Sequence, residues 1–240
     1  MNTYQLYHGD CLEVMDSLEK ESVDAVVADP PFGIGFKYEK RESYNNPEEY
    51  WNWLEPIYIE CLRILKPGGF IAFWQTQLYF KYFWLWFGED IHIYCGCKNF
   101  VQLKKTPINY AYDPIIIKYK DGTPLRPNKP KRNLDFYVAN TAKFVRQTDN
   151  IARRHPCPRP IDQVEELIRN FTLPGGLVLD PFIGSGTTME ACQKLGRSCI
   201  GIEINREYCN IVKERCFNRD FDDREVMYKY YGNPKDEILE

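Results

Sequence analysis

The stretch Asp29-Pro30-Pro31-Phe32 constrains the fold of this 240-residue chain more than any other feature. It follows the apolar run Val23–Ala28, whose length and composition predict a buried β-strand. Two consecutive prolines lack the N–H donors that a strand or a helix needs, so the strand must end there. The sequence therefore predicts a carboxylate and an aromatic ring on a stiff turn at a strand's carboxyl end, where ligands bind in open α/β sheets.

A second predicted strand, 177–180, leads into a glycine turn in a similar way. Gly184 and Gly186 let the backbone approach a ligand closely, and the helix predicted at 187–195 presents amide donors at its N-terminus. Glu203 ends the following strand, near the offset of about 20 residues at which an acid binds ribose hydroxyls in βαβ folds. Met189 breaks the full G-x-G-x-x-G pattern, so this motif alone is weak evidence for a nucleotide-type cofactor.

Hydrophobic periodicity predicts alternating strands and helices over most of the chain, which is typical of an α/β fold with a mostly parallel sheet. The tail, 220–240, is highly charged and is expected to fray or to pack at an edge. The predicted strands are 4–8, 23–28, 70–74, 91–98, 114–120, 177–180 and 198–203, and the predicted helices are 11–18, 47–65, 78–87, 160–171, 187–195 and 207–217.

The basic residues are concentrated in one segment of a chain whose net charge is −3. From Lys118 to Arg159, eleven basic and three acidic residues leave a local charge near +8. Lysine and arginine clusters supply the sequence-independent part of nucleic-acid affinity, so this segment predicts an insertion that contacts phosphates. The alternative is a solvated loop that only keeps the protein soluble.

Cysteine usage and hydropathy exclude several other classes of protein. The nine cysteines form no paired framework, and the isolated C-x-C at Cys95 and Cys97 has no second pair or nearby histidines, so we expect no metal site. Scattered cysteines of this kind are typical of reduced core residues in a cytoplasmic protein. No segment resembles a signal peptide or approaches the roughly 20 apolar residues that span a bilayer.

Taken together, the motifs resemble those of DNA amino-methyltransferases that use S-adenosylmethionine, in the arrangement where the catalytic motif precedes the cofactor motif. The tetrapeptide 29–32 resembles the D-P-P-aromatic catalytic motif, and residues 180–187 resemble the cofactor loop. The stretch 155–160, His-Pro-Cys-Pro-Arg-Pro, is similar to the H-P-x-x-K-P stretch of the family. Arg159 stands where that family usually has lysine.

The resemblance implies a Rossmann-like methyltransferase sheet, mostly parallel with an antiparallel edge strand, in a circularly permuted order. Strands 4–8 and 23–28 would be the third and fourth of that sheet, and strands 177–180 and 198–203 the first and second. The implied organisation is a catalytic half at 1–120, a basic target-recognition insertion at 121–154 and a cofactor-binding half at 155–240.

The resemblance also assigns roles to individual residues. It places Asp10 beside the adenine of the cofactor, although this residue could instead cap the helix that follows it. The implied catalytic residues are Asp29, Pro30, Pro31 and Phe32. The implied cofactor-binding residues are Asp10, Asp29, Asp180, Pro181, Phe182, Gly184, Ser185, Gly186, Thr187 and Glu203.

A chemical interpretation follows from these roles. An exocyclic amine is a poor nucleophile, and hydrogen bonds to the Asp29 carboxylate and the Pro30 carbonyl would favour a pyramidal nitrogen. The target base must leave the duplex, Phe32 would stack on it, and the glycine-containing loop 33–41 would close over the site. Double-stranded DNA is the expected partner, the small insertion predicts a short or relaxed recognition sequence, and the resemblance allows a homodimer.

Adenine N6 is the expected target, because aspartate at the first motif position accompanies mainly adenine in the family and serine mainly cytosine N4. Cytosine N4 is the alternative. RNA and protein-glutamine substrates are disfavoured, because those relatives carry Asn-Pro-Pro-Tyr and the opposite motif order. A non-catalytic nucleic-acid-binding subunit is a further alternative, which the intact Asp29, Gly184 and Gly186 disfavour.

Overall fold

The fold is an α/β sandwich around one mixed sheet. A computed structural model describes residues 2–32, 46–98, 111–121, 135–139, 154–217 and 225–230, and this part of the chain contains nine strands. The strands are β1 Thr3–His8, β2 Val23–Ala28, β3 Leu65–Trp74, β4 His92–Lys98, β5 Tyr112–Tyr119, β6 Phe136–Ala139, β7 Leu177–Asp180, β8 Ser198–Glu203 and β9 Glu225–Tyr230. The α-helices are α1 Cys11–Asp16, α2 Pro47–Ile64, α3 Phe83–Phe87, α4 Ile161–Phe171, α5 Thr187–Leu195 and α6 Arg206–Val212.

The strand order is β6-β4-β5-β3-β2-β7-β8-β1-β9. Strands β2, β7, β8 and β1 are neighbours and run parallel, which confirms the predicted first-to-fourth strand assignment. The expectation of an antiparallel strand at the edge is wrong. Strand β5 is antiparallel to both β3 and β4, and hydrogen bonds to two neighbours place it inside the sheet. The charged tail instead provides an edge strand, β9, parallel to β1.

The side chains of β2 show why the sheet is covered on both faces. Val26 and Ala28 join a core with α1, α2 and α3, whereas Ala25 and Val27 join a core with α4, α5 and α6. Successive side chains of a strand point to opposite faces, so an apolar run such as this one is stable only between two layers of helices. This burial orients the strand ends that build the site.

Two elements between residues 65 and 87 differ from the sequence-based expectation. The helix predicted over 78–87 is a 3-10 helix, Gln77–Tyr82, capped by Thr76 and followed by the short α3. Strand β3 begins at Leu65, five residues before the predicted start at residue 70, because Gly68 and Gly69 exchange backbone hydrogen bonds with Lys120. Among the described helices, none combines the length and the hydrophobicity needed to cross a bilayer.

The four described members of the basic segment all form ion pairs with acids elsewhere in the chain. Lys118 pairs with Asp90, and Lys120 lies 3.4 Å from Glu21. Arg154 pairs with Glu214, and Arg159 pairs with two aspartates described below. The local charge near +8 therefore overstates what these four residues offer to phosphates. The other seven basic residues of the segment, and the expected loop 33–41, lie outside the described residues.

Candidate active site

The carboxyl ends of β1, β2, β7 and β8 meet at one edge of the sheet and surround a single cavity. This is the edge at which parallel α/β sheets bind ligands. Four of the implied residues lie beside the cavity and do not line it: Asp10, Pro30, Phe32 and Gly186. The implied residues that do line it are Asp29, Pro31, Asp180, Pro181, Phe182, Gly184, Ser185, Thr187 and Glu203.

Both carboxylate oxygens of Asp29 are bound by one arginine. Arg159 donates from Nε to Oδ2 and from Nη2 to Oδ1, each at 2.6 Å. This bidentate geometry, in which two N–H groups meet two oxygens, is the strongest form of the arginine–carboxylate pair. Arg159 itself lines the cavity and precedes α4, 130 positions after Asp29 in the chain.

A second aspartate holds the far side of the same guanidinium. Arg159 Nη1 donates to Asp113 Oδ2 at 2.5 Å, and Lys98 Nζ donates to the other oxygen of Asp113 at 2.9 Å. Burial alone would raise the pKa of Asp113, but Arg159 and Lys98 hold that pKa below its ordinary value. Burial likewise opposes the charge of Arg159, yet its two carboxylate partners raise its pKa.

Two aromatic rings complete the surroundings of Arg159. Its Cζ lies 5.5 Å from the centre of the Phe32 ring and 5.7 Å from that of Trp74, within the range of a cation–π interaction. Trp74 ends β3, lines the cavity and is 1% exposed. Its indole Nε1 has no hydrogen-bond acceptor among the described residues.

The glycine loop between β7 and α5 depends on two positive φ angles. Gly184 has φ 51° and Gly186 has φ 84°, a region that residues with a Cβ rarely adopt. A Cβ at Gly184 would lie 3.1 Å from His155 Nε2, and one at Gly186 would lie 3.2 Å from Cys216 Sγ. The loop therefore requires glycine for both conformation and space.

His155 closes one side of this loop as a neutral ring. It packs edge-to-face on Tyr208, with ring centres 4.5 Å apart. Its Nδ1 accepts a hydrogen bond from the Cys157 backbone at 3.3 Å, which leaves the ring proton on Nε2. Burial lowers the pKa of His155 to about 4, against a weaker opposing effect of Asp29.

The two acids of the cofactor side are held by backbone amides. Asp180 Oδ1 accepts from Phe182 N at 2.9 Å, and burial raises the pKa of Asp180 to about 7. Glu203 accepts from Gly184 N at 3.0 Å and from Asn205 N at 2.8 Å. Each acid can therefore present oxygen to a polar ligand while its position stays defined by the main chain.

Arg215 supports the glycine loop and does not itself line the cavity. It is 5% exposed, and its Nη1 donates to the Ser185 carbonyl at 2.8 Å and contacts Thr187 Oγ1 at 3.2 Å. Its Nε lies 2.7 Å from Glu190 Oε2 on α5. Nothing in the sequence pattern points to Arg215, because its partners lie about one helix and one strand away.

Asp10 takes the capping role that was the alternative at this position. Its Oδ1 accepts from Leu12 N at 2.8 Å at the start of α1, while its neighbours Gly9 and Cys11 line the cavity. The sequence motif 155–160 contained His155 and Arg159 but gave neither a role. Asp113 and Trp74 lie in strands that carried no functional signal. In the described part of the chain, no cluster of His, Cys, Asp and Glu could hold a metal ion.

Comparison with known proteins gives this arrangement a context. The chain is 26% identical over 236 residues to the Type II methyltransferase M.HpaI of Haemophilus parainfluenzae, covering 88% of this chain and 73% of that relative. It is 29% identical over 239 residues to the DNA adenine methyltransferase YhdJ of Escherichia coli K12, covering 88% and 81%.

Solved structures share the fold. TTHA0409 from Thermus thermophilus, in complex with S-adenosyl-L-methionine, aligns with a TM-score of 0.71 at 21% identity, covering 96% of this chain and all of that one. The cytosine-N4-specific PvuII DNA methyltransferase aligns with a TM-score of 0.70 at 18% identity, covering 95% of both. The N6/N4 DNA methylase model matches residues 23–214, so both cavity-lining motifs fall within it, and the chain belongs to this family of DNA methylases.

Proposed function

We propose that this protein transfers a methyl group from S-adenosylmethionine to the exocyclic N6 of an adenine flipped out of double-stranded DNA. The observation that carries the proposal is one cavity lined by both Asp29 and the glycine loop with Glu203. A methyl donor and an amine acceptor must meet within a few ångströms, and in-line positioning supplies much of the rate enhancement. The membership of the family supports the reaction class.

The cofactor would occupy the side of the cavity formed by β7, β8 and the glycine loop. Glu203 would bind the ribose hydroxyls, and Asp180, Phe182 and Ser185 would line the remainder of the cofactor site. Asp10 would act by capping α1 and so holding its neighbours in place, since these neighbours rather than its carboxylate line the cavity. The bound cofactor supplies a sulfonium-activated methyl group.

The target base would occupy the side formed by the end of β2. Asp29 would accept a hydrogen bond from the exocyclic amine, and the carbonyl of Pro30 would accept the second. The carboxylate stabilises the positive charge that the nitrogen gains as it attacks the methyl carbon. Phe32, which is partly buried next to Arg159, would stack on the base once the base leaves the duplex.

Cytosine N4 is the second candidate target. The two amines have similar chemistry, and relatives of both kinds exist: YhdJ is named an adenine methyltransferase, and PvuII is cytosine-N4-specific. The aspartate at position 29 favours adenine. Three further expectations stay predictions: the division into halves 1–120 and 155–240 around a basic recognition insertion, the short recognition sequence and the homodimer.

The test is transfer of labelled methyl from S-adenosylmethionine to unmethylated duplex DNA, followed by mass spectrometry of the nucleosides. We expect N6-methyladenine from the wild-type protein and a loss of about a thousandfold in turnover for Asp29→Ala. N4-methylcytosine would replace the proposed target base with the second candidate. The absence of any methylated nucleoside would contradict the proposal.

Asp24→Asn is the matched control, because Asp24 lies at the opposite end of the same strand. Its carboxylate accepts from Lys66 Nζ at 3.0 Å and from Leu177 N at 2.8 Å, and it does not line the cavity. We expect this variant to lose about 1–3 kcal/mol of stability and to keep its turnover per folded molecule.

A further inference from the structure

Arg159 contacts two of the three groups that the proposed function gives to the target base, the Asp29 carboxylate and the Phe32 ring. Each oxygen of Asp29 accepts one of its N–H groups at 2.6 Å, and its Cζ lies 5.5 Å from the centre of the Phe32 ring. A flat guanidinium with N–H donors at its edge offers the same hydrogen-bonding groups as an exocyclic amine. The side chain and the base therefore compete for one carboxylate.

The charge of Arg159 also opposes the reaction at this position. The amine nitrogen gains positive charge as the new N–C bond forms, and a neighbouring cation destabilises that charge in a partly buried cavity. Arg159 and Asp29 are only 18% and 26% exposed in their side chains, so water screens their interaction weakly. Productive geometry therefore requires Arg159 to release Asp29.

The structure provides a second anchor for the released side chain. Arg159 Nη1 already donates to Asp113 Oδ2 at 2.5 Å, and Asp113 does not line the cavity. A buried arginine keeps its charge and needs a carboxylate partner, because an unpaired buried cation is costly. A rotation of the guanidinium about its Asp113 contact would keep one ion pair while freeing both oxygens of Asp29.

We propose that Arg159 is a positioning residue that holds the Asp29 carboxylate in the free enzyme and passes to Asp113 when the target base enters. This inference rests on the proposed function. The incoming amine replaces the N–H donors that Asp29 loses, whereas a base presenting only a carbonyl at that point leaves the carboxylate unpaired. The exchange favours amine-bearing bases.

The test is a steady-state comparison of variants at saturating labelled S-adenosylmethionine, with unmethylated genomic duplex DNA as the varied substrate. Asp113→Asn removes the second anchor, so Arg159 stays on Asp29, and we expect the KM for DNA to rise about tenfold. Arg159→Lys keeps the charge but lacks the planar fork, so its hold on Asp29 is weaker, and we expect that KM to fall roughly fivefold.

The double variant identifies the route of the effect. With lysine at position 159, Asp113→Asn should raise the KM for DNA by less than about twofold, since the planar guanidinium that competes with the base for Asp29 is absent. Asp24→Asn is the control for removing a carboxylate, because Asp24 pairs with Lys66, which lies outside the basic segment, and does not line the cavity. Its KM for DNA should equal that of the wild type.

Two results would overturn the inference while leaving the proposed function intact. One is an active wild-type enzyme whose KM for DNA is unchanged in both single variants. The other is a fall in the turnover and the thermal stability of the single variants while their KM for DNA stays constant. An ion pair with only a structural role would produce that result. A wild-type protein that methylates no nucleoside would overturn the proposed function, and the inference with it.

Discussion

The two sides of the cavity are held in place by different kinds of contact. On the glycine-loop side, Asp180 is bound by an amide 2 positions away, and Glu203 by an amide 19 positions away. On the Asp29 side, the carboxylate is bound by a side chain 130 positions away, which is itself tied to Asp113. One side is built from main chain within a βαβ unit, and the other from side chains of separate segments.

The two sides of the cavity therefore respond differently to a ligand. Backbone amides in a packed loop cannot leave their acceptors without unfolding the loop, so the cofactor side keeps its shape. A side-chain ion pair can exchange partners by rotation of a few bonds at little cost when a second carboxylate is present. We therefore expect mutations on the cofactor side to change stability and cofactor affinity together, and mutations around Asp29 to change DNA kinetics.

Arg215→Met is the strongest test of the cofactor side. The substitution leaves Glu190 without its buried partner and removes the donors to Ser185 and Thr187. We expect the free energy of unfolding to fall by about 3–5 kcal/mol, with weaker binding of S-adenosylmethionine. Urea denaturation and calorimetric titration would measure both.

Arg169→Met is the matched control, because Arg169 is half exposed and pairs with Glu165 and Glu166 on the surface of α4. Arg169→Met should lower the free energy of unfolding by about 0–1 kcal/mol and leave the affinity for S-adenosylmethionine unchanged. Loss of stability in Arg215→Met with normal cofactor affinity would show that the loop keeps its shape without this support.

The pH dependence of stability tests the next largest effect, through two titratable groups on the cofactor side. Asp180 has a pKa raised from 3.8 to about 7, so between these values the folded protein holds a proton that the unfolded chain releases. The contribution of Asp180 to the free energy of unfolding should therefore fall as the pH rises through this window, by roughly 4 kcal/mol. Asp180→Asn should remove this loss, as measured by urea denaturation from about pH 4 to about pH 8.

His155 acts in the opposite direction over nearly the same range. Its pKa is lowered from 6.5 to about 4, so the unfolded chain binds a proton that the folded protein does not. Stability should fall as the pH drops through this window, and His155→Gln should remove that part of the acid sensitivity. If the free energy of unfolding changed with pH in the same way in the wild type and in both variants, this result would contradict the buried environments described for these residues.

The smallest effect concerns the glycine loop itself. Gly184→Ala adds a Cβ 3.1 Å from His155 Nε2 at a φ of 51°, whereas Gly175→Ala adds one at φ 79° with no atom within 4 Å. Both should lose about 1 kcal/mol of stability from backbone strain. Only Gly184→Ala should weaken binding of S-adenosylmethionine, by about tenfold, and equal affinities in the two variants would contradict a contact between the loop and the cofactor.

Most of the fold could be predicted from local patterns. The prolines at 30 and 31 and the glycines at 184 and 186 mark the ends of β2 and β7, because proline lacks a donor and glycine allows positive φ. The position of β5 inside the sheet could not be predicted, because it depends on which strands pair and not on the pattern of any one strand. The same limit applies to the 3-10 helix, Gln77–Tyr82, whose apolar spacing also fits an α-helix.

The residue chemistry at the strand ends and the family of the chain could both be read from the sequence. The three-dimensional fold was needed to show that Arg159 binds Asp29 and Asp113, that His155 packs against the glycine loop, and that Lys118 and Lys120 are paired with acids. Donor content and backbone freedom belong to individual residues, whereas an ion pair depends on the strand order that brings distant segments within a few ångströms.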